Sequence, residues 1–156
     1  MGFEIDNTDF TKEDFDRFSD RLRSNLKALD ILLARPEFGE GDLSFGAELE
    51  LYIVDNEARP LHINQEIIAQ LNDPQLTLEL NRYNLEYNFR PSLLKDCCFS
   101  ATQQEALAAI EKINKCAKQW DGSVVPIGIL PTLQQSDTGY HAMTPLARFK
   151  ALTQEL

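Results

Sequence analysis

The longest periodic stretch of the chain runs from Thr11 to about Ala34, where Phe15, Phe18, Leu22, Leu26, Leu29 and Leu33 recur at steps of three and four. That spacing puts these side chains on one face of a helix over 11–34, a face expected to pack against the rest of the protein. Thr8 or Thr11 can cap its start, Glu13 and Asp14 suit the positive end of the helix dipole, and Pro36, Gly39 and Gly41 end it. The period then drops to two. Leu43, Phe45, Ala47, Leu49, Leu51 and Ile53 alternate with Ser44, Gly46, Glu48, Glu50 and Tyr52, which predicts a strand over about 43–54. "DNEARP" reads as a turn, and 65–71 as a short, weaker helix.

Two further alternations, over 76–80 and 84–89, flank the polar break "NRYN" and predict a hairpin. A second long helix follows over about 100–120, with Leu107, Ile110, Ile113 and Ala117 on one stripe. Thr102 and Glu105 have the spacing of a capping box, and Trp120 is expected in the core at the helix end. "VVPIGIL" predicts a strand over 123–130, at an edge or irregular, because Pro126 has no N–H to give a ladder. "PTLQQSDTGYHAMTP" is loop-like, and "LARFKALTQEL" resumes a helical pattern.

These elements describe an α+β chain, and 156 residues at 43% hydrophobic are enough for a single domain over 1–156 with a core of its own. The charge changes the picture. With 25 acidic against 15 basic residues and a net −10, the chain offers no surface for nucleic acid or an anionic membrane, and an anionic ligand must bring a cation with it. Cys97, Cys98 and Cys116, an odd number with one adjacent pair, fit small buried thiols in a reducing compartment better than a disulfide framework. No apolar run approaches a membrane span, and the acidic start "MGFEIDNTDF" is not a signal peptide, so the expected location is cytoplasmic.

Against this background the acids on the strands stand out. Glu48 and Glu50 lie on the face opposite the large apolar residues of the first strand, Glu79 on that of the second and Glu86 on that of the third. On antiparallel neighbours they would share one sheet face. Side chains two apart on a strand are roughly 6.5 Å apart, so such carboxylates can converge on a small cation, and Mg²⁺ takes oxygen ligands from protein, water and phosphates together. The same alternation is also the ordinary polar-out pattern of a half-buried sheet, and a glycosidase carboxylate pair is a third arrangement. Alternation alone leaves the three open. His62 and His141 are too separated in sequence to suggest a metal pair, and no glycine-rich phosphate loop is present.

"GAELELYIVD", "DPQLTLELNRYNLEYN", "VVPIGILPTLQQSD" and "MTPLARFKAL", in this order over about residues 43 to 153, resemble the N-terminal part of the glutamate-cysteine ligase type 2 family, carboxylate-amine ligases related to glutamine synthetase. The resemblance implies a curved antiparallel sheet with helices on its outer side and Mg²⁺ (or Mn²⁺) and ATP held on the inner face by Glu48, Glu50, Glu79 and Glu86. It implies a reaction in which the γ-carboxylate of glutamate is phosphorylated and an amine, that of cysteine or another, attacks the acyl phosphate to give an amide. Arg148 and Arg90 match basic positions suited to phosphate or carboxylate. Asn81, Asn88, Thr132, Ser136 and Asp137 match segments that would line the substrate pocket. Family members are a few hundred residues long, so the resemblance further implies a partial catalytic domain, inactive alone, whose partner is the remainder of the ligase. The alternative is a binding or regulatory domain that keeps the sheet without catalysis.

Overall fold

The computed structural model describes residues 4–154; Met1–Phe3, the start of the acidic N-terminal stretch, and Glu155 and Leu156, the end of the last helical pattern, lie outside them. The chain is α+β and falls into two compact units, one of residues 43–144 and one of the segments before and after it.

The flanking unit holds two helices, α1 (Lys12–Leu33) and α4 (Ala147–Gln154). Thr11, not Thr8, caps α1: its hydroxyl accepts from the Asp14 N–H at 3.3 Å, while the Asp14 carboxylate accepts from the Thr11 N–H at 2.8 Å. These bonds, with Arg17 beside them, hold the Asp14 carboxyl down at about 2. The apolar stripe of α1 is where expectation and structure part. No residue of α1 is buried; Phe18 is 66% exposed, and Phe15, Leu22, Leu26, Leu29 and Leu33 are exposed with it. Periodicity sets which side chains share a helix face but says nothing about what covers that face.

The unit of residues 43–144 is built on a four-stranded sheet in the order β3 (Leu76–Leu78), β4 (Asn84–Asn88), β2 (Glu48–Val54) and β6 (Ser123–Val125), every neighbouring pair antiparallel. The strand expected over 43–54 is interrupted at Gly46 and Ala47. Its first part, β1 (Ser44–Phe45), pairs instead with β5 (Ser92–Leu93), a break placed where glycine leaves no side chain to pack. The hairpin around "NRYN" forms, but β3 stops at Leu78 rather than residue 80. β6 stops at Val125, immediately before Pro126, and lies at the sheet edge. Strands of three to seven residues accumulate little twist, and the sheet is not strongly curved.

Two helices, α2 (Asn64–Leu71) and α3 (Cys98–Ala117), belong to this unit. α2 ends at Asn72, whose φ of 44° is left-handed, a conformation asparagine tolerates. Leu51, Ile53, Leu76, Leu85 and Val124 from the sheet and Ile67, Ala109, Ile113, Cys116 and Ala117 from the helices form one buried cluster, with Trp120 packed against it. Each fully buried Leu or Ile contributes about 1.5–3 kcal/mol of transfer free energy, so this cluster is what makes the sheet one-sided.

α3 begins two residues earlier than its sequence pattern suggests, and Thr102 does not cap it. The Thr102 hydroxyl donates back to the Cys98 carbonyl at 3.0 Å, while the Glu105 carboxylate accepts from Gln75 at 2.8 Å and from the Tyr87 hydroxyl at 3.2 Å. Tertiary partners have taken Glu105, while Thr102 bonds one turn back within its own helix, and burial with the nearby Glu105 pushes the Tyr87 hydroxyl up to about 12. The cysteines also differ from expectation: all are free, but only Cys116 is buried, Cys97 being exposed and Cys98 half-buried at the start of α3.

Candidate functional site: the carboxylate face of the sheet

Antiparallel pairing sets the face opposite the core residue by residue. Glu48 stands opposite Asn88, Glu50 opposite Glu86, and Tyr52 opposite Asn84, while Thr77 lies on the other side of Glu86. Three of the four glutamates singled out from the sequence therefore sit on adjacent strands of one face, and two of them are directly in register. Glu48 and Glu50 are exposed, and Glu79 and Glu86 are half-buried. The two-residue side-chain period puts them there, because a one-residue slip would have buried all of them.

Glu86 is oriented by its neighbours. Its Oε1 accepts from the Asn88 side-chain amide at 2.7 Å and from the Thr77 hydroxyl at 3.0 Å, and Asn88 also donates to Thr77 at 3.0 Å. Glu79 lies just past the end of β3, with Oε2 accepting from the Leu80 N–H at 3.4 Å. Burial raises the Glu79 carboxyl above its ordinary value of 4.5, and the negative charges of Glu86 and then Glu50 push the same way. None of the four glutamates is in an ion pair with Lys or Arg among the described residues. A groove of about 370 Å³, lined by Gly46, Ala47, Glu48, Asn88 and Phe89, opens beside Glu48.

All-oxygen donors with an uncompensated negative field suit a hard divalent cation, and Mg²⁺ needs only one or two protein carboxylates when waters and phosphates complete its shell. The donor chemistry thus fits. The spacing is not that of a finished cage: among the described residues, no group of three or more His, Cys, Asp or Glu side chains is gathered to hold a metal ion.

The other residues marked in the sequence have different surroundings. Asn88 orders Glu86, and Asn81 donates to the Asn84 side chain at 3.3 Å, so both serve the hairpin. Arg90 lies beyond β4, where alternation no longer governs its side. It is exposed, and its charge acts on Asp73 and on Tyr87, whose ring faces the helices. Thr132 and Asp137 meet at Arg59: the guanidinium donates to the Thr132 carbonyl and pairs with Asp137 at 2.8 Å, and the Thr132 hydroxyl donates to the Ala58 carbonyl. Ser136 contributes its backbone carbonyl, 2.8 Å from His141 Nε2. Arg148, in α4 of the flanking unit, has its N–H bonded to Glu4 at 3.2 Å and its guanidinium 4.6 Å from the centre of the Phe149 ring.

Sequence reasoning missed Arg59 and an aromatic stack near it. His62 stacks on Tyr83 at 5.4 Å and Tyr83 on Tyr52 at 5.9 Å. Burial first, then the charges of Arg82 and His141, hold His62 below its ordinary pKa, so two histidines far apart in sequence come within electrostatic reach. Nothing local signals this, because each contact joins segments remote along the chain. No known protein family, curated protein or solved structure matches this chain. No helix among the described residues is long and apolar enough to cross a membrane.

Proposed function

We propose that the carboxylate face is part of the Mg²⁺–ATP site of a carboxylate-amine ligase of the glutamate-cysteine ligase kind, with a glutamine synthetase-like fold, acting in the cytoplasm. The observation that carries the reading is the register of Glu50 against Glu86, with Glu48 on the same face and Glu79 within reach of both Glu50 and Glu86. Like charges directly opposite destabilise a sheet, so a face that sets Glu50 against Glu86 and pairs neither with Lys or Arg among the described residues supports a cation there. The antiparallel sheet with helices on one side supports the fold part of the reading, its slight curvature weighs against it, and the free thiols support the cytoplasm.

In this reading Glu48, Glu50, Glu79 and Glu86 would hold Mg²⁺ or Mn²⁺ with the phosphates of ATP. A bound divalent cation would neutralise charge on the transferring phosphoryl group. Thr77 and Asn88 keep the Glu86 carboxylate in one orientation, which is the preorganisation such transfer depends on. The γ-carboxylate of glutamate attacks the γ-phosphorus of ATP, ADP leaves, and an amine then displaces phosphate from the acyl phosphate. Arg90 has no part in this reading, since the groups it acts on lie toward the helices.

The test is Mn²⁺ affinity in the presence of ATP, followed by electron paramagnetic resonance. Glu50→Gln and Glu86→Gln should each weaken it at least tenfold with the far-ultraviolet circular dichroism unchanged. Wild-type affinity in both variants would remove the carboxylate face from the site. A second reading, a binding or regulatory domain without catalysis, is favoured by one observation: no three-donor cluster is ready-made among the described residues. It predicts ligand binding without glutamate-dependent ADP release in any longer form of the protein.

A further inference from the structure

Glu79 is the one glutamate of the set that no strand ladder holds, because β3 ends at Leu78. Its peptide is held from behind. Thr144, fully buried, donates its hydroxyl to the Glu79 carbonyl at 2.6 Å, and its own N–H donates to the Leu80 carbonyl at 2.7 Å. The same hydroxyl accepts from the Asn64 side-chain amide at 2.9 Å, and that amide also donates to the carbonyls of Asn81 at 3.1 Å and Asn84 at 3.2 Å. Asn64 is 1% exposed. Around this pair the Arg82 N–H donates to the Ala142 carbonyl at 2.7 Å, and Asn81 forms a bridge with Met143.

The bonding roles are consistent. A threonine hydroxyl has one hydrogen, spent on Glu79, and lone pairs that receive Asn64. The Asn64 amide nitrogen faces three acceptors, which sets its orientation even though Oδ1 is left buried with no hydrogen-bond partner in the protein. Leaving a buried oxygen unsatisfied is costly, so these nitrogen bonds outweigh the alternative rotamer.

We propose that Asn64 and Thr144 are positioning residues for Glu79: the relay from Asn64 through Thr144 to the Glu79 carbonyl fixes the peptide from which the carboxylate projects, where the strand itself no longer does. The inference rests on the proposed cation site for what the carboxylate does, and on the hydrogen bonds alone for where its peptide is held.

The experiment compares Thr144→Val, which keeps the shape and removes the hydroxyl, with Thr144→Ser, which restores it. Two readouts are taken on the whole chain: nuclear Overhauser contacts between the Glu79 and Glu86 side chains without metal, and Mn²⁺ affinity with ATP. In Thr144→Val the contacts should vanish and the affinity fall about tenfold, and Thr144→Ser should recover both to within twofold. Thr144→Ala, which also lacks the donor, gives the same comparison if the valine variant does not fold. Contacts unchanged in Thr144→Val, or in Thr144→Ala where the valine variant does not fold, would overturn the relay. A wild-type chain that binds no Mn²⁺ would sink the ligase reading instead, and the metal-free contacts would then decide the relay by themselves.

Discussion

Glu50 on β2 and Glu86 on β4 face each other in register across the sheet, two carboxylates with no Lys or Arg paired to either among the described residues. Cross-strand partners of like charge repel. In the proposed function a cation completes this arrangement.

Removing one of the two charges should therefore stabilise the protein when no divalent cation is present. For Glu50→Gln we expect a gain of a few tenths to about 1 kcal/mol by urea unfolding in chelator. The sign should reverse when Mg²⁺ and ATP are added, since the wild type then gains more binding energy than the variant. Equal stability in chelator would mean that Glu50 and Glu86 do not interact.

The pH dependence has a definite direction at Glu79. Its folded pKa lies above the ordinary 4.5, so between 4.5 and the raised value the folded state carries the extra proton. Its contribution is most favourable below 4.5 and is lost as pH rises through the raised value. Glu79→Gln should flatten the decline in stability above pH 4.5, measured as the melting temperature from pH 4 to 8. A variant curve parallel to wild type would show that Glu79 titrates alike in both states.

Asn64 gives the sharpest prediction about stability. Asn64→Ala removes one donor from the Asn81 carbonyl, the Asn84 carbonyl and the Thr144 hydroxyl, while the Asn81 carbonyl keeps the Asn84 N–H at 2.9 Å. An unsatisfied buried group costs about 1–3 kcal/mol, and the loss of the unpartnered Asn64 oxygen and entry of water offset part of it, so the net loss should be about 1–3 kcal/mol in denaturant unfolding. A loss under about 0.5 kcal/mol would place this network outside the folded core.

Two leucines that periodicity places on apolar faces should differ in cost. Leu26→Ala on the exposed stripe of α1 should cost less than about 1 kcal/mol, whereas Leu51→Ala in the sheet core should cost about 2–5 kcal/mol. A large cost at Leu26 would mean that its side chain is covered in solution.

Much of the local architecture was legible along the chain. A threonine cap at the start of α1 and the alternation that puts Glu48, Glu50 and Glu86 opposite the core depend on neighbours a few residues away, whereas β6 ends at Val125, short of the expected residue 130. Thr102 and Glu105 show the limit of that reading, for their capping pattern is real and yet Gln75 and Tyr87 claim Glu105 from a distance. Arg59 with Asp137, and His62 with Tyr83, left no local trace for the same reason.

By itself the sequence determined periods: which side chains share a helix face, which share a sheet face, and where proline or glycine ends an element, because these follow from backbone geometry over a few residues. Tertiary structure alone decided register and closure. It set Glu50 against Glu86, brought Thr144 behind Glu79, and left the side chains of the α1 stripe exposed, because those outcomes depend on which remote segments meet, and periodicity carries no information about that.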